Sequence, residues 1–337
     1  MISTLCVIIP VFNDWPSLSI LLDRLNEAAG VLKTKLFVTV VDDGSTDPMT
    51  GIAETCSRLN SLIGVEVIHL ALNVGHQRAI AIGLCVAVED HNLDCVLVMD
   101  GDGEDPPEHL ALLLERAANR EDFCFVAQRR KRTEKISFKL SYLLYKSAFR
   151  LLTGKTIDFG NFSLTSRGYA RRLVMVSELW NNTAAAVLRS RLPFERVPLD
   201  RGHRYKGSSK MNFVSLIIHG LSGISVYAET IMVRLLILAI VLFSATVFSV
   251  ALVLFLRFFF PAHATPGWAT TVSFGMAIIL TQVLSSTLLS ILALLNSRAQ
   301  VLIIPIREFR NYVGDRHLLT GHLPSDMDIS KAPYFTT

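Results

Sequence analysis

The stretch VLVMDGDGEDPPEHL, residues 96–110, decides the fold. Its apolar run, Val96–Met99, is bounded by polar residues and too short for a buried helix, so it predicts a buried strand. Pro106 and Pro107 end the following turn and favour the start of a helix. Carboxylates crowded into such a turn repel one another and offer the hard oxygen ligands that suit Mg²⁺ or Mn²⁺. The carboxylates are those of Asp100, Asp102, Glu104 and Asp105.

Two other interpretations of this turn are an EF-hand loop and a solvated acidic turn. Counted from Asp100, the sixth position of an EF-hand loop is Asp105 where Gly is required, and the twelfth is Ala111 where Glu is required. A solvated acidic turn is common. This turn, however, follows a strand in an alternating strand and helix pattern, and open α/β sheets bind ligands where their strands end. The pattern favours a metal-dependent site.

The first half of the chain alternates strands and helices, which predicts an α/β fold. Apolar runs predict further strands at residues 5–9, 37–41, 65–70 and 123–127. DDGSTD, residues 42–47, follows the second strand and fits either a nucleotide pocket or an ordinary turn. Asn73 and Gly75 predict a tight turn into a helix whose free N–H groups can bind phosphate. The chain has no GxGxxG and no P-loop, which argues against dinucleotide dehydrogenases and NTPases.

Hydrophobic residues make up 51% of the 337 residues, and the mean hydropathy is +0.42, too high for an ordinary soluble enzyme. Two uncharged stretches, Leu235–Leu256 and Ala269–Leu295, are long enough to span a bilayer, with a pair of buried core helices as the alternative. Basic residues flank the pair on its outer sides, which predicts an integral membrane protein with both termini in the cytoplasm. The net charge of +4 is therefore assigned to the membrane surface, with no nucleic-acid partner.

These patterns divide the chain into five segments. We expect a cytoplasmic α/β domain over residues 1–212 and interfacial helices over 213–232. The two membrane helices are expected at 233–257 and 269–296, followed by a cytoplasmic tail over 297–337. The five cysteines all lie in the first half beside apolar segments, without a CxxC pair, as reduced core residues do.

Five motifs occur in a fixed order before the two spans: IPVFND, VVDDGSTD, NVGHQRAIAIGL, MDGDGEDPPE and RGHRYKGSSKMNF. In this combination the chain resembles family 2 glycosyltransferases. Within them it is similar to the polyprenyl-phosphate branch, which includes dolichol-phosphate mannose synthase and the bacterial polyprenyl-phosphate glucosyltransferases. The resemblance implies the GT-A fold, a Rossmann-like α/β architecture, with a nucleotide sugar and Mg²⁺ or Mn²⁺ in the site. It also implies inversion at the anomeric carbon.

The resemblance assigns roles to individual positions. Relatives usually have Glu at position 14 and Gln at position 104, and the family's G-D-F-R-L pattern reads GNFSL here, residues 160–164, which leaves Asp158 as the nearest acid. Pro10 and Asp14 would flank the nucleoside pocket, Asp42 and Asp43 would contact base and ribose, and Asp100, Asp102 and Glu104 would surround the metal.

The acceptor in such enzymes is a lipid phosphate monoester, already largely dianionic at neutral pH, so no strong general base is required. It must instead be bound and aligned by cations. The candidates are Arg201, Arg204, Ser209 and Lys210, with Arg129 and Arg132 as possible partners. A basic stripe that only contacts anionic lipid head groups is the alternative.

The leading hypothesis is transfer of one sugar, from a UDP-hexose by preference or from GDP-mannose, to undecaprenyl or dolichyl phosphate at the cytoplasmic membrane face. A homo-oligomer such as a tetramer would fit the family. A catalytically idle nucleotide-sugar-binding or scaffold subunit is the alternative outside enzymes. A processive polysaccharide synthase would require a QxxRW motif, which the sequence lacks. A transporter or flippase is disfavoured because the two spans carry no charged residue.

Overall fold

The computed structural model describes residues 2–91, 93–129, 147, 149–156, 158–206, 221–259, 267–299 and 302–322. The strands are β1 (Thr4–Val11), β2 (Lys35–Asp42), β3 (Gly64–Leu70), β4 (Cys95–Val98), β5 (Cys124–Arg129), β6 (Phe159–Ser166), β7 (Glu195–Leu199) and β8 (Val313–Gly321). The helices are α1 (Trp15–Val31), α2 (Ile52–Cys56), α3 (His76–Glu89), α4 (His109–Ala117), α5 (Arg167–Leu173), α6 (Thr183–Ser190), α7 (Ala228–Phe259), α8 (Trp268–Ala299) and α9 (Pro305–Glu308). Short 3₁₀ helices cover Ser177–Trp180 and Phe309–Tyr312.

The described strands form one mixed sheet in the order β7-β5-β6-β4-β1-β2-β3-β8. Strands β4, β1, β2 and β3 are parallel neighbours, so their carboxyl ends lie at one edge. Strand β6 runs antiparallel to both β4 and β5, and β7 is parallel to β5. The predicted α/β fold is confirmed. The parallel centre of the sheet places the loops after β1, β2, β3 and β4 side by side.

The central strands are mostly apolar, as expected where helices cover both faces of the sheet. In β1, Val7 and Ile9 pack into the cluster that contains Leu18 and Leu22 of α1. The alternate residue Ile8 packs on the opposite face with α3. Gly83 of α3 permits this close approach, since a Cβ there would lie 2.5 Å from Ile8 Cγ2.

The chain separates into two compact units. The first comprises Met1–Leu143, Ile157–Val226 and Leu302–Thr337, and it contains the whole described sheet. The second comprises Leu144–Thr156 and Tyr227–Val301, which includes α7 and α8. By length and composition, Ala228–Phe259 and Thr270–Asn296 are candidate membrane spans, as the hydropathy pattern predicts.

Strand β8 extends the sheet unit beyond residue 212, where the sequence placed its end. It pairs antiparallel with β3, from Val313 opposite Leu70 to Gly321 opposite Gly64. The segment after α8 therefore contributes an edge strand to the α/β unit, whereas the sequence indicated only a tail.

A buried charge network fixes this strand. Arg316, only 2% exposed, binds the Glu66 carboxylate at 2.9 Å and Asp90 at 2.5 Å. His91 Nε2 lies 2.9 Å from Glu66 Oε1 in the same fully buried position. Burial opposes charge on both residues, but their mutual attraction outweighs it, raising the pKa of His91 and lowering that of Glu66. Each buried charge thus has a partner of opposite sign.

Candidate active site

The acidic turn after β4 is held together by its own carboxylates. The Asp100 N–H donates to Asp105 Oδ2 at 3.0 Å, and the Glu104 N–H donates to Asp102 Oδ1 at 3.0 Å. Asp105 is buried and serves the turn itself. Asp100 and Asp102 remain about one-fifth exposed, with side-chain values of 23% and 19%. The Glu104 side chain is similarly exposed, at 22%, so three carboxylates of the turn are accessible at the sheet edge.

Two arginines from the loop after β7 pair with the acidic site. Arg204 bridges two acidic side chains, with Nη1 3.2 Å from Asp102 Oδ2 and Nη2 3.3 Å from Asp14 Oδ2. Arg201 forms an ion pair with Glu104. The sequence proposed these arginines for a lipid phosphate. In this structure they neutralise the carboxylates proposed for the metal and the nucleotide.

The arginine loop also docks on the acidic turn through its backbone. The Gly202 N–H donates to the Glu104 carbonyl and the Tyr205 N–H to the Asp102 carbonyl, both at 2.9 Å. A Cβ on Gly202 would lie 2.3 Å from the Gly103 carbonyl oxygen, so only glycine permits this approach. The two loops, separated by about a hundred residues in sequence, form one surface.

The Asp14 side chain contributes to the site and does not cap its helix. It is the N-cap residue of α1, a position where Asp normally accepts a hydrogen bond from the first helical turn. Its side chain makes no such bond and pairs with Arg204 instead. The carboxylate is thereby directed toward the acidic turn.

Burial and neighbouring charge act together on Asp102. Its pKa is raised, first by burial and then by the Asp100 carboxylate, while Arg204 and Arg201 partly oppose that shift. Within the described residues no three acidic, histidine or cysteine side chains converge as a complete metal site. Mg²⁺ in nucleotide enzymes is typically bound by one or two carboxylates plus substrate phosphates, and Asp100 and Asp102 fit that partial donor set.

The two aspartates after β2 have different environments. Asp42 accepts hydrogen bonds from His69 Nδ1 at 2.7 Å and from the Ser45 N–H at 3.0 Å. Burial alone would raise the pKa of Asp42, but these bonds outweigh it and lower the pKa. Asp43 is also buried, and burial raises its pKa.

Asp43 binds the turn that precedes α3. Its carboxylate accepts the N–H groups of Val74, at 2.7 Å, and Gly75, at 3.0 Å. Asn73 Nδ2 donates to the Asp43 carbonyl at 2.8 Å. The sequence predicted that backbone N–H groups at this turn bind a phosphate. In the structure the N–H groups of Val74 and Gly75 donate to Asp43 instead. Pro10 lies buried within β1, opposite Val41.

His76, the first residue of α3, connects that turn to the acidic one. Its Nε2 lies 3.2 Å from Asp100 Oδ1 and 3.1 Å from Asn161 Nδ2. Burial alone would lower the pKa of His76, but the adjacent Asp100 carboxylate raises it. Asn161 is the position where the resembling family pattern has an acid, and the structure places it beside this histidine.

The other proposed residues lie elsewhere or outside the described residues. Asp158 pairs with Gln128 Nε2 at 2.7 Å and with Arg196 Nε at 3.0 Å, so its described contacts are with β5 and β7. Arg129 ends β5. The following three proposed phosphate ligands lie outside the described residues: Arg132, Ser209 and Lys210.

Comparison with known proteins decides the family. The family model described as glycosyl transferase family 2 matches residues 6–176, which run from within β1 past the acidic turn and Asn161. The chain belongs to glycosyl transferase family 2. The sheet, with its acidic turn at the carboxyl edge of parallel strands, is the GT-A-like fold that the sequence resemblance implied.

Of two relatives of this family 2 member, one is named a transferase and the other a glycosyltransferase. An undecaprenyl-phosphate 4-deoxy-4-formamido-L-arabinose transferase from Aeromonas hydrophila is 28% identical over 64% of the chain and 65% of the relative. The uncharacterized glycosyltransferase YkcC of Bacillus subtilis is 26% identical over 79% of the chain and 81% of the relative. The chain thus spans about two thirds of the length of the arabinose transferase that it matches.

Solved structures of sugar-phosphoglycerate synthases are also similar to the chain. Mannosyl-3-phosphoglycerate synthase from Rubrobacter xylanophilus has a TM-score of 0.49 and 18% identity, over 67% of the chain and 73% of that structure. Glucosyl-3-phosphoglycerate synthase from Mycobacterium tuberculosis, solved with Mn²⁺, UDP-glucose and phosphoglyceric acid, has a TM-score of 0.47 and 14% identity. The match covers 68% of the chain and 80% of that structure.

Sequence reasoning missed three features of the site. His76 was not singled out as a site residue, and Asp105 was grouped with the other carboxylates of its turn. Tyr205 was not singled out, although its ring covers Gly103, where a Cβ would lie 2.7 Å from the ring. A glycine inside an acidic turn was the one available signal of such a close approach.

Proposed function

We propose that this family 2 glycosyltransferase transfers a single sugar from a nucleotide diphosphate sugar to a polyprenyl monophosphate, with inversion at the anomeric carbon. The observation that carries the proposal is the acidic turn on which the arginine loop docks, since it places anion-binding and cation-binding groups within one surface. The name of the Aeromonas relative supports the acceptor class. A UDP-hexose is the favoured donor, and GDP-mannose is the second.

Asp100 and Asp102 would hold Mg²⁺ or Mn²⁺ at the carboxyl edge of β4. Such an ion, when bound, stabilises the negative charge that develops on a departing nucleoside diphosphate. Asp42 and Asp43, at the end of the neighbouring strand, hold the loops that would surround the nucleoside. Asp42 does so through Ser45, and Asp43 through Val74 and Gly75.

Arg201 and Arg204 would bind the acceptor phosphate by exchanging partners. Arg204 pairs with Asp102 and Asp14. If Asp102 served a divalent cation instead, the guanidinium of Arg204 would have one carboxylate partner fewer and could bind an anion. Arginine suits a phosphate because its planar fork can bind two oxygens at once. The dianionic acceptor needs alignment behind the anomeric carbon more than it needs a base.

The candidate spans favour action at a membrane. We place the α/β unit and both termini on the cytoplasmic side, since basic residues flank the pair of spans and the short connection between them offers few. A homo-oligomer is proposed from the family resemblance.

A donor and acceptor panel tests the proposal. The full chain, purified in detergent with Mn²⁺, is incubated with undecaprenyl or dolichyl phosphate and each of several labelled UDP and GDP sugars. We expect one donor to yield a labelled lipid, and the anomeric configuration of that product to be opposite to that of the donor. Retained configuration would contradict inversion. Nucleotide binding without transfer from any donor would favour the idle-subunit alternative.

A further inference from the structure

A row of side-chain hydrogen bonds runs from the start of α6 to the acidic site. The Thr183 backbone N–H donates to Gln77 Oε1 at 2.8 Å, and Gln77 Nε2 donates to Asn161 Oδ1 at 3.1 Å. Asn161 Nδ2 then lies 3.1 Å from His76 Nε2, which is 3.2 Å from Asp100 Oδ1. The row therefore ends at a carboxylate proposed to hold the metal.

The direction of this row is fixed at its buried end. A backbone N–H can only donate, so the Gln77 oxygen must face Thr183 and the Gln77 amino group must face Asn161. Asn161 consequently accepts through Oδ1 and turns its own amino group toward His76 and the acidic site. Gln77 thus determines that the Asn161 amino group, and not its oxygen, faces the acidic site.

The Asn161 side-chain amino group has two N–H donors, more than its described protein partners can accept. It carries two hydrogens, and among the described residues only His76 Nε2 faces them. That nitrogen cannot accept from Asn161 while it donates to Asp100, so one of these two contacts is lost whenever the other forms. The His76 side chain is 46% exposed, which leaves the place beside Asn161 open to a ligand.

We infer that Asn161 donates a hydrogen bond to a phosphate oxygen of a substrate bound beside Asp100, and that Gln77 is the positioning residue that holds the Asn161 amino group toward it. This inference rests on the proposed function, which brings two phosphate-bearing substrates to the site. The oxygen belongs either to the diphosphate of the sugar donor or to the monophosphate of the lipid.

An amide at position 161 gives this chain a hydrogen-bond donor that the acid of the family pattern lacks. A carboxylate there would face a phosphate oxygen with a charge of the same sign. An aspartate at position 161 would still accept from Gln77, but it would present a charged oxygen where Asn161 presents N–H. The amide therefore supplies a donor without changing the charge of the site.

Two nearly isosteric variants test the inference. Asn161→Asp keeps the bond from Gln77 and removes the donor. Gln77→Glu keeps the bond from Thr183 but has no hydrogen for Asn161, so the Asn161 amide should turn over and present its oxygen. Asn26→Asp adds the same charge on α1, where Asn26 holds the backbone of residues 60 and 61, and serves as the control.

We expect both variants to raise the KM for the same substrate by roughly ten- to a hundredfold, the loss of one hydrogen bond to a charged group, with a smaller change in kcat. A raised KM for the nucleotide sugar assigns the diphosphate, and a raised KM for the lipid assigns the monophosphate. Asn26→Asp should change neither. Unchanged KM values in both variants, or a higher kcat in Asn161→Asp, would overturn the inference.

A binding measurement separates this inference from the proposed function. If the wild-type chain transfers no sugar, the proposed function fails, and calorimetry with UDP, GDP or undecaprenyl phosphate in the presence of Mn²⁺ then tests Asn161 alone. Weaker binding of one of these by Asn161→Asp, with unchanged thermal unfolding, would support the inference. Equal affinities of the wild type and the variant for all three would overturn it.

Discussion

Removal of Arg204 tests whether this arginine neutralises the carboxylates of the acidic site when no metal is bound. Arg204 contacts Asp102 at 3.2 Å and Asp14 at 3.3 Å, and the three side chains are only 19–25% exposed. One pair of unit charges 4 Å apart near a protein surface interacts by about 4 kcal/mol. Arg204→Ala removes a cation that faces two carboxylates, so these carboxylates should attract Mn²⁺ more strongly.

Solvent screening and the mobility of the freed carboxylates reduce that figure. We expect a net gain of about 1.5–3 kcal/mol, the usual value of one charged hydrogen bond. It corresponds to a Kd for Mn²⁺ roughly ten- to a hundredfold lower in the absence of nucleotide. Calorimetric titration or the electron paramagnetic resonance signal of free Mn²⁺ measures it directly. The variant should also have a lower Tm without metal and recover it when Mn²⁺ is added.

The control is Arg58→Ala, which removes the same charge from an exposed pair with Asp23. It should leave Mn²⁺ affinity unchanged. Mn²⁺ binding by Arg204→Ala that equals or falls below that of the wild type would refute the view that Arg204 occupies the place of the cation.

Three further predictions concern the turn and the network behind it. Asp102→Asn should abolish sugar transfer in the labelled-lipid assay while leaving the Tm within a few degrees, because it would remove the charge of a proposed metal ligand and keep the shape of the side chain. Arg316→Met should lower the free energy of unfolding by about 3–5 kcal/mol in denaturant titration, since Glu66 would remain buried without one of its cations. Stability should fall as pH rises above 6.5, because His91, whose folded-state pKa is raised to about 10, binds its proton more tightly in the folded state.

The sign of the last prediction follows from linkage. The contribution of His91 is fully present below pH 6.5 and is lost as pH rises through about 10. Glu66, whose pKa is lowered, contributes in the opposite range, above pH 4.5, and loses its contribution as acid protonates it. His91→Phe should remove most of the dependence between pH 6.5 and about 9, below the range in which the buried Cys56 titrates. A dependence in this range that His91→Phe leaves intact, or full stability of Arg316→Met, would contradict the network. Near-normal sugar transfer by Asp102→Asn would contradict the proposed metal site.

Local patterns in the sequence were enough to predict the centre of the fold. An apolar run bounded by polar residues defines a strand wherever it lies, so β1, β2, β3 and β4 and the turn after β4 follow from short segments. Because parallel strands end at one edge, the placement of Asp42 and Asp100 at the same edge of the sheet also follows without a structure. The candidate spans follow from length and hydropathy alone.

Long-range pairings could not be predicted in the same way. The bond between Asp14 and Arg204 joins residues 190 positions apart, and nothing local marks Arg204 as a partner of acids in preference to phosphate. Strand β8 lies in the segment that the sequence assigned to a tail, and its Arg316 is buried against Glu66, 250 positions away. A charged residue in a strand predicts exposure unless its partner is known.

The labelled-lipid assay with the wild-type chain and its best donor tests the central claim most directly. With Mn²⁺ and undecaprenyl phosphate present, we predict that sugar label enters the organic phase, that EDTA stops this transfer, and that added Mn²⁺ restores it. Label that stays in the aqueous phase although the nucleotide sugar binds, or transfer that persists in EDTA, would contradict the account.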